Sequence, residues 1–460
     1  MSLLQAAACG QELETGELSQ SAGGGDGSAG YLIRDASLVL TMDSTLGSGL
    51  LGAIEDADVL IVGDTIAAVG PHLAAPRGIA VVDGRGMIVM PGFIDTHDHY
   101  WQSLIRGCAA DDDLIGWLNR CVFPLNGFPF SEEDAYAGVR LSTTGLINTG
   151  VTTGVDWSHN FNPDFRRGNL RALEDSGMRF SIALFGANLD GSDIAAAKAE
   201  FIDGNPLASI QAASHPAPGF LELHMASMVA VANSLGIKLH VHLLENIAQV
   251  ADDPMTVMRN TGALDLGEDL LTAHDVHLTD ADIAELALHG VAASHQPLSN
   301  MRLASGIMRY PDLHSAGLRI GLGLDGGTND TPDTFNNMRA AVGLQRAKSF
   351  NPHETPTVDE VLFAATMGGA EVLNMEDQIG SLTPGKQADL IIIDPNQLNF
   401  APQLRQVNQI VFNGQPQNVT WVFVAGRPLK RGGQLLGVNV RDLLADAQTA
   451  IDNIAPALVP

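Results

Sequence analysis

Aromatic residues make up only 5% of this 460-residue chain, and cysteine occurs three times, as Cys9, Cys108 and Cys121. With few aromatics, the core must be built from Ala, Gly, Leu and Val, and at 45% hydrophobic the chain has enough of them. The cysteine spacing contains no C-x-x-C pair and no disulfide framework, which fits a reducing cytoplasm. Basic residues are scarce: 25 Lys and Arg stand against 53 Asp and Glu, a net charge of −28. That balance excludes nucleic acid, whose phosphates need Lys and Arg. It equally excludes an anionic membrane surface as partner. The acidic excess reads as a solvated surface. No apolar run is long enough to span a bilayer. No basic segment precedes an apolar stretch near residue 1, so no secretion signal is expected.

Residues 1–30 are rich in Ser, Gly, Glu and Gln (SQSAGGGDGSAG) and are expected to form a flexible tail. From Tyr31 the texture changes to short β-rich runs broken by Gly and Asp: YLIRDASLVLTM, DADVLIVGDTIAAVG, GIAVVDGRGMIVM. The same texture returns late, in KQADLIIIDP and VTWVFVAGRPLKRGG. Segments 31–90 and 381–435 are therefore expected to pair, through antiparallel strands, in one small discontinuous β-sandwich, with a helix or tail over 436–460. Between them, 91–380 alternates apolar strands with amphipathic helices such as FLELHMASMVAVANSLG and DADIAELALHG. The strand candidates are IVMPGFIDTH, GVTTGVDW, MRFSIALF, PLASIQAAS, IKLHVHL, DLLTAHDV, GVAASH and LRIGLGLD. Eight βα repeats of this length predict a (β/α)8 TIM-like barrel, with a doubly wound open sheet as the alternative. In a barrel the chemistry belongs at the C-terminal strand ends.

Those ends carry a repeated residue type. His97 and His99 are two residues apart, so in an extended strand both imidazoles share a face. Alone, such a pair reads as a surface or core pair sooner than as metal ligands. The fifth strand adds His242 at its mouth and Glu245 just beyond, with His240 one layer deeper as a core histidine. The sixth ends in His274 and the eighth in Asp325. Neutral imidazoles with one carboxylate suit Zn²⁺ or Fe²⁺. Competing motifs fall away. GLGLDGG spells G-x-G-x-x-G, but TNDTPD follows where a dinucleotide site needs a helix. H-E-x-x-H and P-C-x-x-C are absent.

The pieces PGFIDTHDH, HVHLLEN, AHDVHL, SHQPLSN, GLGLDGG and IGSLTPGKQADLIIID resemble the amidohydrolase superfamily, in its cytosine-deaminase-like and triazine-hydrolase branch. They run through nearly all of the chain beyond the tail. The resemblance implies that His97, His99, His242 and Asp325 ligate one divalent metal ion, Zn²⁺ or Fe²⁺. It implies that Glu245 shuttles protons and that His274 is the partner of the attacking water, and in the mechanism these roles suggest Asp325 would also take that water's proton. PLASIQAAS lacks the lysine that binuclear relatives use to bridge two metals, which favours a single ion.

The activity implied is hydrolytic deamination of a small heteroaromatic molecule, a purine-, pteridine- or pyrimidine-like ring. The alternatives are loss of another ring substituent, such as an alkylamine or halide from a triazine, a cyclic-amide hydrolase, or a non-catalytic metal-binding relative. Candidate substrate contacts are Gln102, Trp101 and His215. Gln102 stands where relatives acting on purine-like rings have a glutamine. His215 precedes His242 by the spacing found in thioadenosine and S-adenosylhomocysteine deaminases. Asn126 stands where those enzymes carry a ribose-binding glutamate, which favours a free base over a nucleoside. His295, Ser299 and Asn300 line the seventh strand end, as loop supports or substrate contacts. His72, His159, His224, His277, His289, His314 and His353 are expected to be structural or at the surface. Dimerisation is common in the family, and a homodimer stays open.

Overall fold

Short apolar runs punctuated by Gly and Asp fold as strands at both chain ends. In the computed structural model, which describes residues 30–328 and 331–459, they form one sheet. The rest of the tail expected over 1–30 lies outside the described residues. The sheet takes β1 (Gly30–Leu40), β2 (Ala53–Val62), β3 (Thr65–Gly70), β4 (Ala80–Asp83) and β5 (Ile88–Pro91) from the first end. A two-residue turn joins β2 to β3, with Gly63 at φ 62°, a conformation open to glycine at no steric cost.

The barrel follows: β6 (Phe93–Asp98), β7 (Val151–Ser158), β8 (Arg179–Phe185), β9 (Ala208–Ser214), β10 (Lys238–Leu243), β11 (Leu270–His274), β12 (Ala292–His295) and β13 (Arg319–Leu322). These are the eight expected strands. All pair in parallel in strict sequence order, and the side chains of β6, β7, β10, β11 and β12 are buried throughout. A doubly wound sheet would reverse its order at a switch point, and no reversal occurs. The two ends of the sheet meet where Asp325 N donates to His97 O at 3.0 Å.

Helix ends on the barrel's outside follow local chemistry. The helix Glu132–Thr149 starts on a reciprocal Ser131–Asp134 cap and stops at Gly150, whose φ of 101° is left-handed. The helices Phe220–Leu235 and Asp280–His289 stop the same way, at Gly236 and Gly290.

After the barrel, β14 (Leu390–Ile393), β15 (Val419–Val424), β16 (Arg427–Arg431) and β17 (Gln434–Leu435) complete the first sheet. β14 pairs antiparallel with β5, so the two chain ends join there. The expectation of purely antiparallel pairing is corrected: β1 pairs β4 and β5 in parallel, so the sheet is mixed. Its own core includes Tyr31, Val59, Ile61, Ile392 and Phe423. A buried ion pair ties this sheet to the foot of the barrel. Arg179 Nε, at the start of β8, donates to Asp389 Oδ2 at 2.8 Å, and both side chains are 2% exposed. The helix Val440–Ile454 returns to the barrel, where Asn453 Nδ2 donates to Asp134 Oδ1 at 2.9 Å.

A second correction concerns cysteine. Cys108 and Cys121 form a disulfide that closes the loop after β6. The two residues come together through the fold of that loop, which their spacing did not announce, and the cysteine argument for a reducing compartment falls with it. No helix among the described residues is long and apolar enough to cross a membrane.

Candidate metal centre and active site

The C-terminal ends of β6, β10, β11 and β13 converge on one mouth of the barrel. His97 comes from β6, His99 from one residue past it, His242 from β10 and Asp325 from three residues past β13. One donor atom from each of these four lies within 4.8 Å of all the others, and all four residues are buried. Asp325 Oδ1 is 3.2 Å from His97 Nε2 and 3.5 Å from His99 Nε2, and the Nε2 atoms of His99 and His242 are 3.2 Å apart.

The chemistry of this set fits a cation. His99 Nδ1 donates to Trp157 O at 2.7 Å, so the neutral ring turns its Nε2 lone pair into the cluster. Burial pushes His99 down to about 3, helped by its neighbour His97, and pushes His97 and His242 below the usual imidazole range. Three neutral imidazoles and a carboxylate then face one another, a donor set suited to Zn²⁺. Beneath them, His240 Nε2 lies 3.0 Å from His97 Nδ1, and His240 O accepts from Trp157 Nε1. His240 is fully buried and outside the donor set, in the deeper layer expected for it.

A second cluster shares Asp325. Glu245, His274 and Asp325 also bring one donor atom each within 4.8 Å of the others. His274 Nε2 lies 3.6 Å from Glu245 Oε2 and 4.0 Å from Asp325 Oδ2. Burial raises the Glu245 carboxyl to about 7; His274 opposes the shift and Asp325 adds to it. Burial also works against charge on Asp325, but His274, His97 and His99 hold its carboxyl below the ordinary range. Two carboxyls in one pocket are thus pushed apart, one kept as an acid and one as a carboxylate, the division that acid–base chemistry needs. His274 and Asp325 have φ of 78° and 65°, and Leu244 and Asp275 are also left-handed. Each such residue costs about 1–3 kcal/mol, and strain of this kind gathers at functional sites.

The three expected substrate contacts fare differently. His215 is half-buried and stacks on His242 with ring centroids 4.9 Å apart, beside Trp157 and Phe185. Trp101 sits on a buried 3₁₀ turn, Tyr100–Ile105, packed among Phe130, Phe161 and Phe165. It reaches the site only through His159, donating from Nε1 to Nδ1 at 3.0 Å. Gln102 Oε1 accepts from Gly327 N at 3.1 Å, so it braces the loop beyond Asp325. Asn126 is exposed.

Sequence reasoning missed His159, whose ring lies 4.9 Å from that of His99. The available signal was its place just past the end of β7, the same rim position as the other site residues. It also missed Asp156, which is fully buried and accepts from Tyr100 N and Asn169 Nδ2 directly beneath the site.

A (β/α)8 barrel with a His₃Asp donor set at its mouth and an acid–base pair beside it defines a class of metal-dependent hydrolases. The Amidohydrolase family model matches residues 88–429, and the chain belongs to that family. It is 32% identical to the 5-methylthioadenosine/S-adenosylhomocysteine deaminase of Desulforudis audaxviator, over 91% of this chain and 97% of that protein. It is 30% identical to the 5'-deoxyadenosine deaminase of Methanobrevibacter smithii, over 93% of this chain and 98% of that one. Among solved structures, an adenosine deaminase from Xanthomonas campestris with bound zinc aligns with a TM-score of 0.83 and 26% identity, covering 93% of this chain and 99% of that one. The atrazine chlorohydrolase TrzN from Arthrobacter aurescens aligns at 0.84 with 22% identity, covering 92% and 100%, a likeness of fold.

Proposed function

We propose that this protein is a hydrolytic deaminase of an amino-substituted heteroaromatic ring, using one divalent metal, with Zn²⁺ as the first choice. The observation that carries the reading is that the metal donor set and the acid–base pair share a single residue, Asp325. A cation held by His97, His99, His242 and Asp325 would acidify water and supply Lewis acidity. Around it, the chain's own groups divide the proton work. Asp325 Oδ2, on the side facing His274, takes a proton from the attacking water. Glu245, whose carboxyl burial raises to about 7, donates in its acid form to the ring nitrogen next to the attacked carbon. The proton held by Asp325 then passes to the departing amine, which leaves as ammonia, while the oxygen on the ring carbon returns its remaining proton to Glu245 as the carbonyl forms. His274 holds the attacking oxygen in line.

The substrate we favour is an adenine nucleoside modified at its 5' position. The names of the relatives at 30–32% identity support it, as does His215 stacked on His242. Asn126 supports a second reading, a free base, because an amide replaces the carboxylate that would grip ribose. Ammonia release over adenine, adenosine, 5'-deoxyadenosine, pterins and amino-triazines tests both with zinc-loaded protein. A 5'-deoxyadenosine kcat/KM above that for adenine supports the first, and the reverse order the second. No ammonia from any of them rejects deamination.

A further inference from the structure

The short helix Pro297–Arg302 follows β12 and contributes nothing to the metal donor set, yet the residues at its start touch both strained groups of the site. Gln296 Oε1 accepts from the backbone N of His274 at 2.7 Å. Asn300 Oδ1 accepts from His274 Nδ1 at 2.9 Å, and Ser299 Oγ donates to Asp325 Oδ2. Gln296, Ser299 and Asn300 are at most 1% exposed. They are not spent on their own helix: Gln296 occupies its N-cap position and makes no capping bond. Its amide nitrogen instead donates to Ser294 Oγ at 2.6 Å, which aims its oxygen at His274.

We propose that Gln296, Ser299 and Asn300 are positioning residues that set the tautomer of His274 and the rotation of Asp325. The inference deepens the deaminase reading and rests on it for the roles of those two groups. With Asn300 accepting, the hydrogen of a neutral His274 sits on Nδ1, and Nε2 is left facing Glu245 and the reacting water. With Ser299 holding Oδ2, only Oδ1 of Asp325 faces His97 and His99, so one carboxylate serves the metal with one oxygen and the proton transfer with the other. Gln296 secures the left-handed backbone at His274, a conformation a histidine adopts only where its surroundings enforce it.

Two measurements independent of turnover test this. The first is zinc affinity by competition with a chromogenic chelator. Ser299→Ala is expected to weaken zinc about 10–100-fold, the usual effect of removing a group that orients a ligand, and Ser299→Thr to restore it. The second is the ¹⁵N spectrum of labelled histidines in metal-free protein, taken at a pH where His274 is neutral, because burial, which disfavours its charge, is outweighed by Glu245 and Asp325, which raise its titration above the ordinary imidazole range. Asn300→Leu should move the His274 hydrogen off Nδ1, whereas Asn300→Asp, which keeps an acceptor and guards against a folding defect in the leucine variant, should retain it. In turnover, Asn300→Leu should lower kcat about 10–100-fold with KM little changed. Zinc affinity in Ser299→Ala matching the parent, or an unchanged His274 tautomer in Asn300→Leu, overturns the proposal. If the parent protein releases no ammonia, the deaminase reading fails, while affinity and spectra still decide the positioning roles.

Discussion

Replacing Glu245 with glutamine isolates the proton step. The side chain is 6% exposed and its Oε2 lies 3.6 Å from His274 Nε2, outside the four metal donors. Glutamine keeps the volume and removes the titrating proton. With the carboxyl raised to about 7, near half of the molecules carry the acid form at neutral pH. A positioned general acid contributes about 10²–10⁴-fold, or roughly 2.7–5.5 kcal/mol of barrier at 1.36 kcal/mol per decade. Glu245→Gln should therefore lose two to four decades of kcat (on the order of the same contribution) and still hold one metal per chain. The sign of the pH dependence follows from the acid role. Glu245 is competent below about 7, so kcat/KM should fall as pH rises through that value, and the variant should lack this limb. Steady-state ammonia release from pH 5 to 9, with metal analysis on the same samples, reads both quantities. Near-native kcat in the variant, or loss of its metal, refutes the assignment.

Three further outcomes follow from the geometry. Chelation should abolish ammonia release and lower thermal stability, by about 2.7 kcal/mol relative to protein at a hundredfold excess of zinc over its Kd, and zinc should restore both; calorimetry with and without chelator checks it. Gly323→Ala would put a Cβ 2.8 Å from His97 O and 2.9 Å from His97 Cβ, so His97 must shift. Overpacking of this kind costs about 1–3 kcal/mol, and zinc affinity should fall even where the protein stays folded, as a chelator competition would read. Asp389→Asn leaves the Arg179 guanidinium buried without its carboxylate, which should cost about 3–5 kcal/mol in urea unfolding. Because Arg179 begins β8 and the site lies at the opposite strand ends, kcat should hold.

The parts that were legible in the sequence are those where local chemistry and fold agree. The eight barrel strands read as apolar runs between helices whose Ser, Thr and Gly ends mark their limits, as at Ser131 and Gly150. The histidines were legible because strand periodicity fixes which residues share a face, and His97 and His99 obey it. Loops carry no such period. Cys108 and Cys121 lie 13 residues apart and pair across the short helical turns Leu114–Trp117 and Leu118–Val122, a path that the spacing did not reveal. The 3₁₀ turn after His99 rotates Trp101 into an aromatic cluster and Gln102 towards Gly327, although they lie only two and three residues past His99 in sequence.

His274 and Asp325 mark the limit of sequence reading most clearly. Both hold positive φ where glycine would be the residue that local propensity selects. The chain carries an imidazole and a carboxylate there all the same, and the strain is offset by bonds from elsewhere. Asp325 N reaches across the barrel seam to His97 O, and His274 N is held by Gln296. The seam and the site are thus one structure. Closing β13 against β6 is what brings the Asp325 carboxylate to His97 and His99, so a change that opens the seam must also separate the metal donors.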